Sequence, residues 1–85
     1  MNITIQCFGA FRPFGEALLI SVSHGATVAD LHGLFLKKLK EIDPSFDNPI
    51  LIDNSRFATE TTLLASSTLL EEGMQLAVIP PVSGG

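Results

Sequence analysis

The sequence predicts a two-layer α+β domain, with one main helix packed on a mixed sheet. Three observations lead there. The first residues alternate apolar and polar, the period of a half-buried strand. Residues 28–42 carry a single apolar stripe at helical spacing. Residues 74–79 alternate again, so the chain ends its domain as it begins it. Eighty-five residues make one small core. A hydrophobic content of 46% is enough to fill it, which excludes disorder.

Met1, Ile3, Ile5 and Cys7 share the inner face of the first strand, and Asn2, Thr4 and Gln6 the outer one. Gly9 to Gly15 has turn chemistry at both ends and connects to a second strand over 17–23. In that strand Leu18, Ile20 and Val22 point inward. Thr27 caps the helix: Thr27-Val28-Ala29-Asp30 fits the capping box with Asp in place of Glu, and an acid there also suits the helix dipole. Val28, Leu31, Phe35, Leu39 and Ile42 form the stripe, and Asp43-Pro44 ends it. Gly33 costs the helix about 1 kcal/mol relative to Ala, for which the sequence offers only close packing as a reason. Residues 45–73 are the hardest to read. Asn48-Pro49 is a turn signal, and 50–52, 56–59 and 63–65 are candidate short strands. After a turn at Glu71-Glu72-Gly73 the last strand buries Met74, Leu76 and Val78, and Pro80 stops it. A small fold with this order is the β-grasp, whose first and last strands lie side by side in the centre. The domain is thus expected over 1–79, with an extended tail over 80–85.

Composition narrows the chemistry. The net charge of −4 disfavours nucleic acid, because a phosphate binder needs a basic patch, and suits a basic partner surface. A single cysteine, no secretory leader pattern and no apolar run of membrane-spanning length point to a cytoplasmic protein without membrane contact. His24 and His32 lack partners at ligand spacing, so no metal site is expected, and His32 lies off the stripe as a solvated side chain. Cys7 reads as a buried structural thiol. Lys37, Lys38 and Lys40 read as a solvated helix end or, alternatively, a partner contact. No glycine-rich phosphate loop occurs and no bound cofactor is expected.

The tail has chemistry of its own. Gly84-Gly85 is thin and flexible enough to enter a narrow active site, and Gly85 has no side chain to hinder attack on its carbonyl. Pro80-Pro81 favours extended polyproline geometry and, with Val82 and Ser83, forms an arm. Residues 80–85 at up to about 3.5 Å each reach roughly 20 Å. A carboxylate resists nucleophiles until it is converted to a mixed anhydride with AMP. Sulfide or a persulfide can then displace AMP and leave a thiocarboxylate. Docking leaves a trace as well: Phe8 and Ile79 interrupt the polar outward faces of the terminal strands. If those strands are parallel neighbours, both residues lie beside the tail exit. The alternative is a loop or second layer over Phe8. Leu19 is a further candidate on that face.

The ending Pro80-Pro81-Val82-Ser83-Gly84-Gly85 resembles the small subunit of molybdopterin synthase, a family of ubiquitin-like sulfur carriers. Phe8-Gly9-Ala10-Phe11-Arg12 followed by Gly15, the helix start Thr27-Val28-Ala29-Asp30-Leu31, and Glu72-Gly73 are similar too. The chain departs from that pattern at Gly73-Met74, at Pro13 and over 45–66. The resemblance implies a β-grasp carrier rather than an enzyme. Gly85 would be adenylated by a ubiquitin-activating-type enzyme that uses ATP, then thiocarboxylated with the help of a sulfur donor enzyme. The large synthase subunit would accept the tail and build the dithiolene of molybdopterin. Phe8 and Ile79 match family positions that contact partners. Alternatives in the same class feed sulfur to a thiolated tRNA, cysteine, thiamine or a thiolated metabolite. A different class is a ubiquitin-like modifier joined through Gly85 to lysines, or a binding module with an inert tail.

Overall fold

The structure is a computed structural model and describes residues 1–81. The expected tail positions Val82, Ser83, Gly84 and Gly85 lie outside the described residues. Four strands form one mixed sheet in the order β2-β1-β4-β3, with β1 over Asn2–Cys7, β2 over Leu18–Ser21, β3 over Arg56–Ala58 and β4 over Gln75–Ile79. The first and last strands are parallel neighbours in the centre, in register from Thr4 with Gln75 to Cys7 with Val78. The outer strands pair antiparallel to them. This is the β-grasp arrangement that the sequence predicts.

The helix α1, Val28–Ile42, covers one face of this sheet. Its start is a complete capping box: the Asp30 N–H donates to Thr27 Oγ1 at 3.4 Å, and the Thr27 N–H donates to Asp30 Oδ2 at 2.9 Å. Two of the four orphan amides at the helix start are thereby satisfied in reciprocal fashion. Val28, Leu31, Phe35 and Leu39 are buried against Ile3, Ile5, Leu76 and Val78 in one continuous core. Ile42, the last member of the predicted stripe, is half exposed, because the helix ends there and runs past the sheet. A Cβ added at Gly33 would meet nothing within 4 Å, so close packing is not what places a glycine in this helix.

The segment 45–73 departs most from the sequence reading. Residues 50–52 are not a strand: Pro49–Asp53 is a short helix, α2. Asn48 is its cap, accepting from the Leu51 N–H at 3.1 Å, and Pro49 occupies the first turn, where its missing N–H costs nothing. The same Asn-Pro pair that signals a turn also signals a helix start, and too few residues follow to show a period. Arg56–Ala58 is a strand as expected, while Leu63 makes only an isolated bridge to Ala58. The connection after β1 is a 3₁₀ helix, Gly9–Phe14, that sends Phe11 into the core. There Phe11 stacks edge-on to Phe35 at 5.2 Å, and Phe35 does the same to Phe57 at 5.7 Å.

His32 is not solvated. Its Nδ1 lies 3.1 Å from the Val28 carbonyl and its Nε2 3.0 Å from the Ser55 carbonyl, while the ring meets Phe57 edge-on at 5.0 Å. It ties α1 to the segment leading into β3. One turn back along α1 is Val28, on the apolar stripe, which explains how a residue flanking the stripe reaches the core margin.

Cys7 is buried at the end of β1, and burial pushes its thiol up to about 11 from an ordinary 9.0. The sign follows directly. Above pH 9 the unfolded chain loses the thiol proton while the folded chain keeps it, so stability declines with pH until the folded thiol also ionises near 11. We expect the free energy of unfolding to fall by about 1 kcal/mol per pH unit on average across that window in wild type, relative to Cys7→Ala, in urea titrations. Equal pH slopes for the two proteins would contradict it.

Candidate functional site

The site is a corner rather than a cavity. β1 and β4 run in the same direction and end together, so the last register pair, Cys7 with Val78, is followed on each strand by an apolar residue. These are Phe8 and Ile79, 38% and 41% exposed. The sequence reading places them together if the terminal strands are parallel neighbours, and the strands are. Phe8 is exposed rather than sealed under a loop or second layer, although more than half of its surface is covered. The ring lines a shallow groove on the outward face of the sheet, with Thr4, Gln6, Gln75 and Ala77 on its floor. Leu19 is on that face but opposite Thr4 in the register, about 13 Å along the strand from Phe8, and does not join the corner.

The chain leaves the sheet at this corner. Ile79 is held by pairing with Arg56 of β3, Pro80 is half-buried, and Pro81 is exposed. Glu16 and Glu60 stand at the rim of the groove, while the lysines sit on α1. An acidic rim around a largely polar floor with Phe8 at one end suits a basic partner, mainly through faster encounter. No group of three His, Cys, Asp or Glu among the described residues is placed to hold a metal ion. Lys40 is ion-paired with Asp47 at 3.8 Å on the surface.

Sequence reasoning misses one member of this corner. Gly9 has φ +56°, and its Cα lies under the Pro80 ring. A glycine at the end of a strand signals close backbone approach, which could have drawn attention to it. The groove residues Glu16 and Glu60 carry no sequence signal, because only the fold brings them to Phe8.

If the corner is a docking surface, Phe8→Ala removes contact area that a partner would cover, while losing little in the free protein. We expect the Kd for an activating enzyme to rise at least about tenfold, with a stability change under about 1 kcal/mol. Equal losses in binding and in stability would place Phe8 in the core instead.

An α+β domain of this topology, with its last strand in the centre and its chain end emerging beside an apolar corner, is a ubiquitin-like β-grasp protein. Residues 5–85 match the model of the ThiS family, and the chain belongs to that family of ubiquitin-like sulfur carriers. Members generally work with adenylating partner enzymes rather than as catalysts themselves. Among solved structures the chain is similar to SAMP1 from Haloferax volcanii, with a TM-score of 0.68, 20% identity and full coverage of both chains. No curated protein matches the sequence. No helix of the described residues is long and apolar enough to cross a membrane.

Proposed function

We propose that this protein carries sulfur on Gly85 for the dithiolene of molybdopterin, as the small subunit of molybdopterin synthase. The observation that carries the reading is the corner itself. The chain exits the sheet beside exposed Phe8 and Ile79, and the sequence from there is Pro80-Pro81-Val82-Ser83-Gly84-Gly85. Membership of the ThiS family supports the carrier class, and the terminal hexapeptide supports the pathway.

The chemistry divides between chains. A ubiquitin-activating-type enzyme joins the Gly85 carboxylate to AMP and releases pyrophosphate from ATP. Attack by sulfide on the activated carbonyl expels AMP and leaves the thiocarboxylate. With a persulfide from a sulfur donor enzyme, an acyl disulfide forms first and a thiol reduces it to the thiocarboxylate. The large synthase subunit then takes the tail into its site and transfers the sulfur to a pterin precursor; water returns the acyl carbon to the carboxylate, and two loaded carriers supply the two sulfurs of one dithiolene. This chain supplies the reacting carbonyl, the thin Gly84 approach, the arm of Pro80, Pro81, Val82 and Ser83, and the docking residues Phe8 and Ile79. It binds no cofactor of its own in this scheme.

Intact mass spectrometry tests it. With activating enzyme, ATP and sulfur donor, one oxygen at Gly85 is exchanged for sulfur. The loaded protein, mixed with the large subunit and precursor, yields the dithiolene. Loading without dithiolene formation retains the carrier and rejects the pathway. Stable attachment to lysines of other proteins makes the chain a modifier, and an unchanged mass with activating enzymes makes it a binding module.

A further inference from the structure

We propose that Gly9 is the seat that aims the C-terminal segment: its lack of a Cβ lets the Pro80 ring rest on the turn after β1, and this contact fixes the direction in which the chain leaves the sheet. The enzymatic part of the test rests on the carrier reading above; the contact itself does not.

The seat is rigid. Phe8 is extended, Gly9 turns the chain with φ +56°, and the 3₁₀ helix that follows is tied down at several points. The Phe11 N–H donates to the Phe8 carbonyl at 3.0 Å, and the Cys7 N–H to the Gly15 carbonyl at 3.1 Å. Phe11 is fully buried against Phe35. Gly9 therefore cannot yield without disturbing the core.

The rider is rigid as well. Ile79 is paired with Arg56, so the strand is fixed up to the residue before Pro80. A Cβ on Gly9 would lie 2.7 Å from Pro80 Cγ and 3.6 Å from Cδ, against the 3.4 Å where ordinary contact begins. In a long flexible side chain the far atom would rotate away. The proline ring is closed onto its own backbone nitrogen with φ fixed, so only a change of ring pucker can shift Cγ, and relief beyond that has to come from the main chain. Because Pro81 follows, a change of direction at Pro80 is passed on rather than absorbed.

The positive φ alone would accept asparagine as well as glycine; the Pro80 contact accepts only glycine. Gly9 also follows Phe8 directly, so the residue offered for docking and the residue that aims the tail are consecutive.

Two variants separate aim from strain. Gly9→Asn tolerates the left-handed backbone but adds a Cβ, and Gly9→Ala adds both strain and Cβ. With the adenylating enzyme of the same source, followed by ATP–pyrophosphate exchange, both variants are expected to lose kcat by about tenfold or more, as misplacement of a reacting group does, while KM stays within about twofold. Pro80→Ala removes Cγ and Cδ; combined with Gly9→Asn it should cost no more than the larger single change, because both act through one contact. Multiplying losses, or losses that follow the melting temperature across variants, would make Gly9 a structural residue only and overturn the proposal. So would wild-type kcat in Gly9→Asn. Nuclear Overhauser contacts between Gly9 Hα and Pro80 Hγ read the seat without any enzyme. They are expected in wild type and lost in Gly9→Asn, and their absence in wild type overturns the proposal. If wild type shows these contacts but no enzyme adenylates it, the carrier reading fails and the seat stands.

Discussion

Deleting Gly85 is expected to abolish the proposed sulfur loading and to leave the melting temperature where it was. The two halves of this expectation have separate causes. The buried core ends at Val78, and no described interaction that holds the domain together involves anything beyond Pro80. Thermal unfolding should therefore not register the change. Loading, in contrast, depends on a carbonyl delivered to a site on another protein. Shortening the chain by one residue withdraws that carbonyl by up to about 3.5 Å and leaves Gly84 at the end. Misplacement of a reacting group by about 1 Å can already cost about a hundredfold. Amidation of Gly85 is the complementary variant: the reach is intact, but no carboxylate remains to accept AMP. Mass spectrometry after incubation with activating enzyme, ATP and sulfur donor should find neither variant loaded. Normal loading of either, or unfolding of the truncated chain, contradicts the expectation.

The second large effect is on stability. Phe35→Ala is expected to cost about 3–5 kcal/mol. Phe35 is fully buried in α1, and its ring bridges two others, edge-on to Phe11 at 5.2 Å and to Phe57 at 5.7 Å. Truncation loses burial and both aromatic contacts, and leaves a cavity between an anchored helix and a sheet that cannot easily close on it. For a domain of this length each kcal/mol lowers the melting temperature by roughly 4–8 °C, so a fall of roughly 12–40 °C is expected in scanning calorimetry. A fall below about 5 °C would mean that the core repacks around the missing ring.

The sequence makes the frame legible where the period is long enough to count. Asn2–Cys7 and Gln75–Ile79 alternate, and Val28, Leu31, Phe35 and Leu39 repeat at helical spacing, so both central strands and α1 stand out. Thr27 and Asp30 mark the helix start by chemistry that works locally, without help from the rest of the chain. Phe8 and Ile79 are legible as exceptions to alternation. What escapes is what only tertiary packing decides. Pro49–Asp53 is a five-residue helix, too short for a period to show. His32 reaches Ser55 because the fold brings a residue 23 positions away to it, and nothing near His32 announces this. Pro80 rests on Gly9 because the two ends of the domain meet. The residues proposed to perform a task are visible in the sequence, and those proposed to hold them in position are visible only once the chain is folded.

The parallel seam between β1 and β4 also has a mechanical side. The two strands point the same way, with Asn2 at one end of the seam and Ile79 at the other. A force that draws the chain end outward against an anchored amino-terminal strand is directed along the seam, so its hydrogen bonds are strained together in shear instead of being peeled apart singly. A domain built this way can be tugged by its terminus, as an enzyme threading it through a narrow channel would do, and resist being unravelled.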